Sequence, residues 1–238
     1  MSSANPYSSP DYGVAVAHAG VDDRADFITK TYLHLFGAVG ILVLMEAALL
    51  NSGIADDMVR LMMGGRFSWM IVLGLFMAVS HIADRWARSN TSVGMQYAGL
   101  ALYTVAEAVI LLPLLYIAKL QNPSTITTAA VATLGLFGVL TAIVFATRKD
   151  FSFMRSALMF GGVAAMGLIV CAMLFNFSLG PIFSVAMIAL MCGYILYHTS
   201  NVLHHYAVGQ HVAASLSLFA SLATLFWYVL QLVMASDD

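Results

Sequence analysis

Hydrophobic and polar positions come in long blocks along this chain, and block length is the first informative quantity. After a polar stretch over residues 1–30, apolar runs occupy about 31–52, 67–87, 94–118, 125–147, 154–175, 180–203 and 211–234. The breaks hold turn and cap formers: Asn51-Ser52-Gly53, Gly64-Gly65, Arg88-Ser89-Asn90, Gln121-Asn122-Pro123, Arg148-Lys149-Asp150, and Asn176 to Pro181. A run of about 20 residues rising 1.5 Å each crosses about 30 Å of hydrocarbon. Only helices and closed barrels satisfy their backbone in lipid, and these unbroken runs are not the alternating ten-residue strands of a barrel. The pattern predicts an all-α, polytopic bundle of seven transmembrane helices over 31–234. A flexible cytoplasmic tail (1–30) and a short C-terminal tail (235–238) flank it, and Val21 to Lys30 reads as an amphipathic stretch lying on the membrane surface.

Composition agrees. The chain is 61% hydrophobic and 9% charged, with a mean hydropathy of +0.88, against about 45–50% apolar and 25% charged in soluble domains. That excludes a soluble enzyme, a disordered chain and a disulfide scaffold, and makes the lipid bilayer the first partner. Residues 156–236, 81 in succession, contain no Asp, Glu, Lys or Arg. With the N-terminus cytoplasmic, seven basic residues (Arg24, Lys30, Arg85, Arg88, Arg148, Lys149, Arg155) lie inside and three (Arg60, Arg66, Lys119) outside, the asymmetry expected of that orientation. Seven crossings then put Asp237 and Asp238 outside. Ten basic against twelve acidic residues, unclustered, exclude nucleic acid as a partner. Cys171 and Cys192, inside apolar runs, read as buried small hydrophobes.

Ionisable residues inside the spans are the informative ones, because each is costly unless it faces protein or water. Glu46 lies in the first span, His81 and Asp84 toward the end of the second with Arg85 and Arg88, Glu107 in the middle of the third, and His198 in the sixth. Glu46 and Glu107 read either as protonated carboxyls bonded to a neighbouring helix or as parts of a proton or cation pathway. In the sixth span Tyr194, His198, Asn201 and His205 fall on one helical face; in the seventh Ala214, Ser217, Ser221, Thr224 and Tyr228 share another. The two faces read as close packing or as a gate with a polar gap. His204, His205 and His211 read as solvated histidines, so no metal and no cofactor is expected. HExxH, GxSxG, P-loop and CxxC signatures are absent, which argues against an enzyme. The last span holds no lysine, which excludes a retinal-type receptor.

The polar N-terminal tail, KTYLHL at Lys30 to Leu35, RKDFSF at Arg148 to Phe153, GYILY at Gly193 to Tyr197 and AASLSLF at Ala213 to Phe219, in this order and spacing, resemble the Bax inhibitor-1-like membrane proteins from about residue 27 onward. The resemblance, to prokaryotic-type members, implies a seven-helix bundle with the last helix central, in a bacterial inner membrane. It implies a pH-sensitive calcium or cation leak, or a non-conducting regulator of another membrane protein such as a protease. Its sensor is a pair of aspartates in the last two helices, latched by an arginine of the second. Here those positions are His198 and Ser221. An imidazole and a hydroxyl cannot share a proton as two carboxylates do, and they supply few oxygens for calcium. Without the aspartates the latch arginine, at Arg85 or Arg88, needs Asp84, Glu46 or Glu107 as its partner.

Overall fold

The computed structural model describes residues 13–65, 67–89 and 92–237, with Asp237 described by its backbone only. Eight helices follow in order: α1 (Val21–Asn51), α2 (Ile54–Met63), α3 (Ser68–Ala87), α4 (Val93–Gln121), α5 (Pro123–Thr147), α6 (Arg155–Phe175), α7 (Gly180–His204) and α8 (His211–Asp237). All but α2 are long and apolar enough to cross a membrane. Short connections make consecutive spans antiparallel. The bundle therefore has a proximal end, where α1 begins and the α3–α4, α5–α6 and α7–α8 connections lie, and a distal end that carries α2.

Local chemistry sets the boundaries. Ser92 accepts the Met95 N–H at the start of α4, and Asn122 accepts the Ser124 N–H at the start of α5, with Pro123 in its first turn. At the other ends, α5 and α6 stop at Arg148 and Asn176, both left-handed with φ of 51° and 56°, the conformation that closes a helix C-terminus.

Two elements differ from the sequence pattern. First, α1 starts at Val21, because Phe27 and Thr31 are buried in register with Leu35, Ala38 and Leu42, and one continuous face leaves no reason to break the helix at the surface. The preceding backbone is also held: Val16 N–H donates to the Tyr206 carbonyl at 2.9 Å, and Val208 N–H to the Val14 carbonyl at 3.0 Å. Residues 14–16 are therefore tied to the α7–α8 connection and residues 21–30 form the first turns of α1; residues 1–12 lie outside the described residues. Second, α2 occupies a connection read as a turn. Its Ala55, Val59 and Met62, at i, i+4 and i+7, are buried, while the Tyr116 hydroxyl donates to Asp56.

In the core, α8 packs on α1, α3, α4, α5 and α7, whereas α6 packs chiefly on α7. The α3–α4 contact is backbone-close: a Cβ on Gly99 would lie 2.5 Å from the Ala83 carbonyl oxygen, the small-residue packing that substitutes in lipid for a hydrophobic drive between helices. The outer faces of α3 and α6 present Ile71, Leu75, Phe160 and Val163 outward. Cys171 is exposed on that outer surface and Cys192 is half-buried, since an apolar run in a membrane helix has a lipid face as well as a core face.

Candidate functional site: a polar cavity at the proximal end

The polar residues gather around two cavities at opposite ends. The proximal one, about 640 Å³, lies among the ends of α3 and α7 and the connections beside them, and is lined by Asp84, Arg88, Ser152, Arg155, Tyr197, His198, Asn201, His205, Tyr206 and Gln210. Arg88 Nε donates to both oxygens of Asp84 at 2.9 Å, and its Nη2 lies 3.5 Å from Ser217 Oγ on α8. Burial opposes the charge on Arg88, but Asp84 and Tyr206 outweigh it and hold the guanidinium above its ordinary value. Tyr206 is buried, which raises its hydroxyl above the usual range against the opposing pull of Ser217 and Arg88. That hydroxyl donates to Ser217 Oγ at 2.9 Å, and Ser217 donates in turn to the Ala213 carbonyl at 3.0 Å. An arginine, a carboxylate and two hydroxyls thus join α3, the α7–α8 connection and α8 at one point.

His198 lines this cavity between two tyrosine rings, stacked on Tyr194 at 5.8 Å and tilted against Tyr197 at 5.2 Å, and its Nδ1 is buried without a hydrogen-bond partner. Asn201 and His205 line it too. The rest of the α7 face turns away from α8: Tyr194 donates to the Leu158 carbonyl of α6 at 2.9 Å, and His205 Nε2 lies 2.9 Å from Asp150. Burial opposes the charge on Asp150, but hydrogen bonds from Ser152 and the His205 ring together outweigh it and hold the carboxyl below its ordinary value. Ser200 ties the same connection down by accepting the Phe151 N–H at 2.9 Å.

On α8, Ser221 and Thr224 donate to carbonyls one turn back, at 3.0 and 2.8 Å, so their hydroxyls are satisfied within the helix. Ser221 is buried, and Thr224 reaches the second cavity. That cavity, distal and about 600 Å³, holds Glu107, Trp69, Phe76, Trp227, Tyr228 and Gln231 among mostly apolar neighbours. Between the two cavities Tyr103, one turn proximal of Glu107, meets Phe76 at 6.0 Å and Phe219 at 5.8 Å.

Glu46 lines a third, apolar cavity of about 400 Å³ among α1, α4, α5 and α8. Both of its oxygens and Oε2 of Glu107 are buried without a hydrogen-bond partner. His81 and Arg85 are exposed on α3 and line none of these cavities. Among the described residues no three His, Cys, Asp or Glu side chains converge as metal ligands: His204 bonds the Ser200 carbonyl, His205 faces Asp150, and the His211 ring lies tilted against His34 with centroids 5.0 Å apart. Sequence reasoning missed Tyr206, Asp150 and Tyr103. The first two sit in connections, and Tyr103 looks like any apolar-run tyrosine until the fold brings Phe76 and Phe219 to it.

The comparisons with known proteins agree with this architecture. The chain is 34% identical over 110 residues to Bax inhibitor 1 of Schizosaccharomyces pombe, covering 44% of this chain and 40% of that protein. It is 30% identical over 118 residues to a BI1-like protein of Arabidopsis thaliana, covering 46% and 45%, so it spans less than half the length of either relative. The Golgi anti-apoptotic protein of Vaccinia virus is 24% identical over 232 residues, covering 95% of this chain and 92% of its own. A family model described as inhibitor of apoptosis-promoting Bax1 matches residues 24–238. Seven spans in the predicted order and a match from α1 to the C-terminus make this chain a member of the Bax inhibitor family of integral membrane proteins.

Proposed function

We propose that the chain is a passive cation leak whose proximal mouth is the Asp84, Arg88 and His198 cavity. The observation that carries this reading is a polar face on α8: Ser217 behind the proximal cavity, bonded to its lining residues Arg88 and Tyr206, Ser221 next along the helix, and Thr224 and Tyr228 at the distal cavity. A stripe of hydroxyls gives a cation replacement oxygens along a path where lipid gives none. Phe76, Tyr103 and Phe219 obstruct that path midway, which describes the closed state. In this reading His198 and Ser221 stand at the family's two sensor positions, and the Arg88 latch takes Asp84 as its carboxylate. Charging of His198 beside Arg88 raises the positive potential at the mouth, so acid opposes cation entry; Asp84, Asp150, Arg155, His205 and Tyr206 face or border the same space. The orientation follows the basic residues, with the proximal end cytoplasmic in a bacterial inner membrane.

The test is cation entry into liposomes loaded with a calcium or potassium dye. The proposal expects flux above protein-free vesicles that changes with His198→Ala and Asp84→Asn; absence of flux from pH 5 to 8 overturns it. A second reading, a non-conducting regulator of another membrane protein, is favoured by the anti-apoptotic name of the viral relative and by the absent aspartate pair. Crosslinking in native membranes that captures only self-adducts counts against it.

A further inference from the structure

We propose that the distal cavity is a binding site for a lipophilic organic cation, with Glu107 as its counter-charge and aromatic rings as its wall. The inference stands apart from conduction, since it concerns occupancy of one cavity only. The cavity measures about 600 Å³, inside the range of about 300–1,000 Å³ typical of small-molecule pockets. Glu107 is the sole Asp, Glu, Lys, Arg or His along its described lining, is 3% exposed, and leaves Oε2 without a hydrogen-bond partner. A buried polar oxygen facing an otherwise apolar space is costly unless a ligand supplies a donor or a positive charge.

The walls select the kind of cation. Trp69 and Trp227 stack at 6.0 Å with planes 20° apart, and Phe183 meets Tyr228 edge to face at 5.9 Å. Aromatic faces attract a desolvated cation and tolerate its apolar substituents. A metal ion fits poorly. Calcium takes 6–8 oxygens, whereas this lining offers a single carboxyl, and Ser184 and Gln231 already bond each other at 3.2 Å. In this proposal access is lateral, between α3 and α6, because α6 packs chiefly on α7 and α3 chiefly on α4, and lipid is the phase in which an amphiphilic cation concentrates.

The experiment is equilibrium dialysis of labelled tetraphenylphosphonium against the full chain in zwitterionic nanodiscs, with tetraphenylborate, its isosteric anion, as competitor. Saturable binding displaced by unlabelled tetraphenylphosphonium and not by tetraphenylborate is expected. Glu107→Gln should weaken it about tenfold or more, Trp227→Ala should weaken it less, and Asp150→Asn should bind as wild type does. Equal displacement by both ions, which needs no variant and so does not depend on how a variant folds, would mean a lipid-filled cleft and overturn the proposal. Unsaturable uptake, or unchanged affinity in a folded Glu107→Gln, would overturn it as well.

Discussion

The two cavities at opposite ends of the bundle are alike in volume and opposite in how their carboxyl groups are satisfied. At the proximal end, Asp84 meets Arg88, Tyr206 meets Ser217 and Asp150 meets His205. At the distal cavity Glu107 keeps an oxygen unpartnered. The difference follows from depth. Near a membrane surface the connections supply partners, as Asp150 and Tyr206 do, whereas deep in the bundle a side chain has only neighbouring helices. Hydroxyls solve this by bonding the carbonyl one turn back; a carboxyl cannot do the same, so both oxygens of Glu46 and Oε2 of Glu107, whose carboxyl bonds the Tyr103 hydroxyl, stay available for a ligand, a proton or each other.

The largest effect should come from the layer between the cavities. Phe219 is fully buried, and Phe219→Ala should cost about 3 kcal/mol, toward the low end for such truncations because lipid is the competing solvent; detergent unfolding curves measure it. In the leak reading the same variant joins the two cavities and raises vesicle flux. Next, Gly99→Val drives a side chain into the Ala83 carbonyl and the Ala87 amide of α3. It should cost about 2 kcal/mol and disturb the Asp84 and Arg88 wall more than Glu107; a thermal scan together with the tetraphenylphosphonium assay separates the two ends.

Smaller effects sharpen the contrast. Ser215, buried on α8, shares its one hydroxyl proton between the Thr31 carbonyl of α1 at 2.7 Å and the His211 carbonyl of its own helix at 2.6 Å, so Ser215→Ala should cost about 0.6 kcal/mol by chemical denaturation, typical of hydrogen bonds between membrane helices. Asp150→Asn should cost less than about 1 kcal/mol, because both partners of the His205 pair are nearly half exposed. The Asp150 carboxyl titrates lower in the fold than when unfolded. Its contribution is therefore complete above the ordinary carboxylate value and fades only as pH falls through the lowered one. Between pH 5 and 8 the Asp150 carboxyl stays ionised, so Asp150→Asn removes no carboxylate titration from a flux profile in that window.

Much of the bundle was legible because membrane helices are specified by run length and by caps such as Asn122-Pro123 and Asn176, which are local in sequence. The α7 and α8 faces were legible as faces, but not what each one meets. Tyr194 and His205 fall on the same stripe as His198, yet α6 and the α5–α6 connection take them instead of α8, a choice fixed by helix rotation and neighbour order that periodicity does not contain. The short α2 stayed hidden because ten residues with Asp56, Asp57 and Arg60 resemble a polar loop until Ala55, Val59 and Met62 are seen to share its buried side. The third partner of the Arg88 cluster, Tyr206, comes from a connection and has no pattern to betray it.

Vesicle flux is the measurement closest to the central claim. Reconstituted wild-type chain should admit cations above the protein-free background, Phe219→Ala should admit them faster, and His198→Ala should change the flux. Wild-type and Phe219→Ala vesicles that both stay at background from pH 5 to 8, with folded protein verified in the same vesicles, would contradict the leak and leave the non-conducting regulator as the account of this bundle.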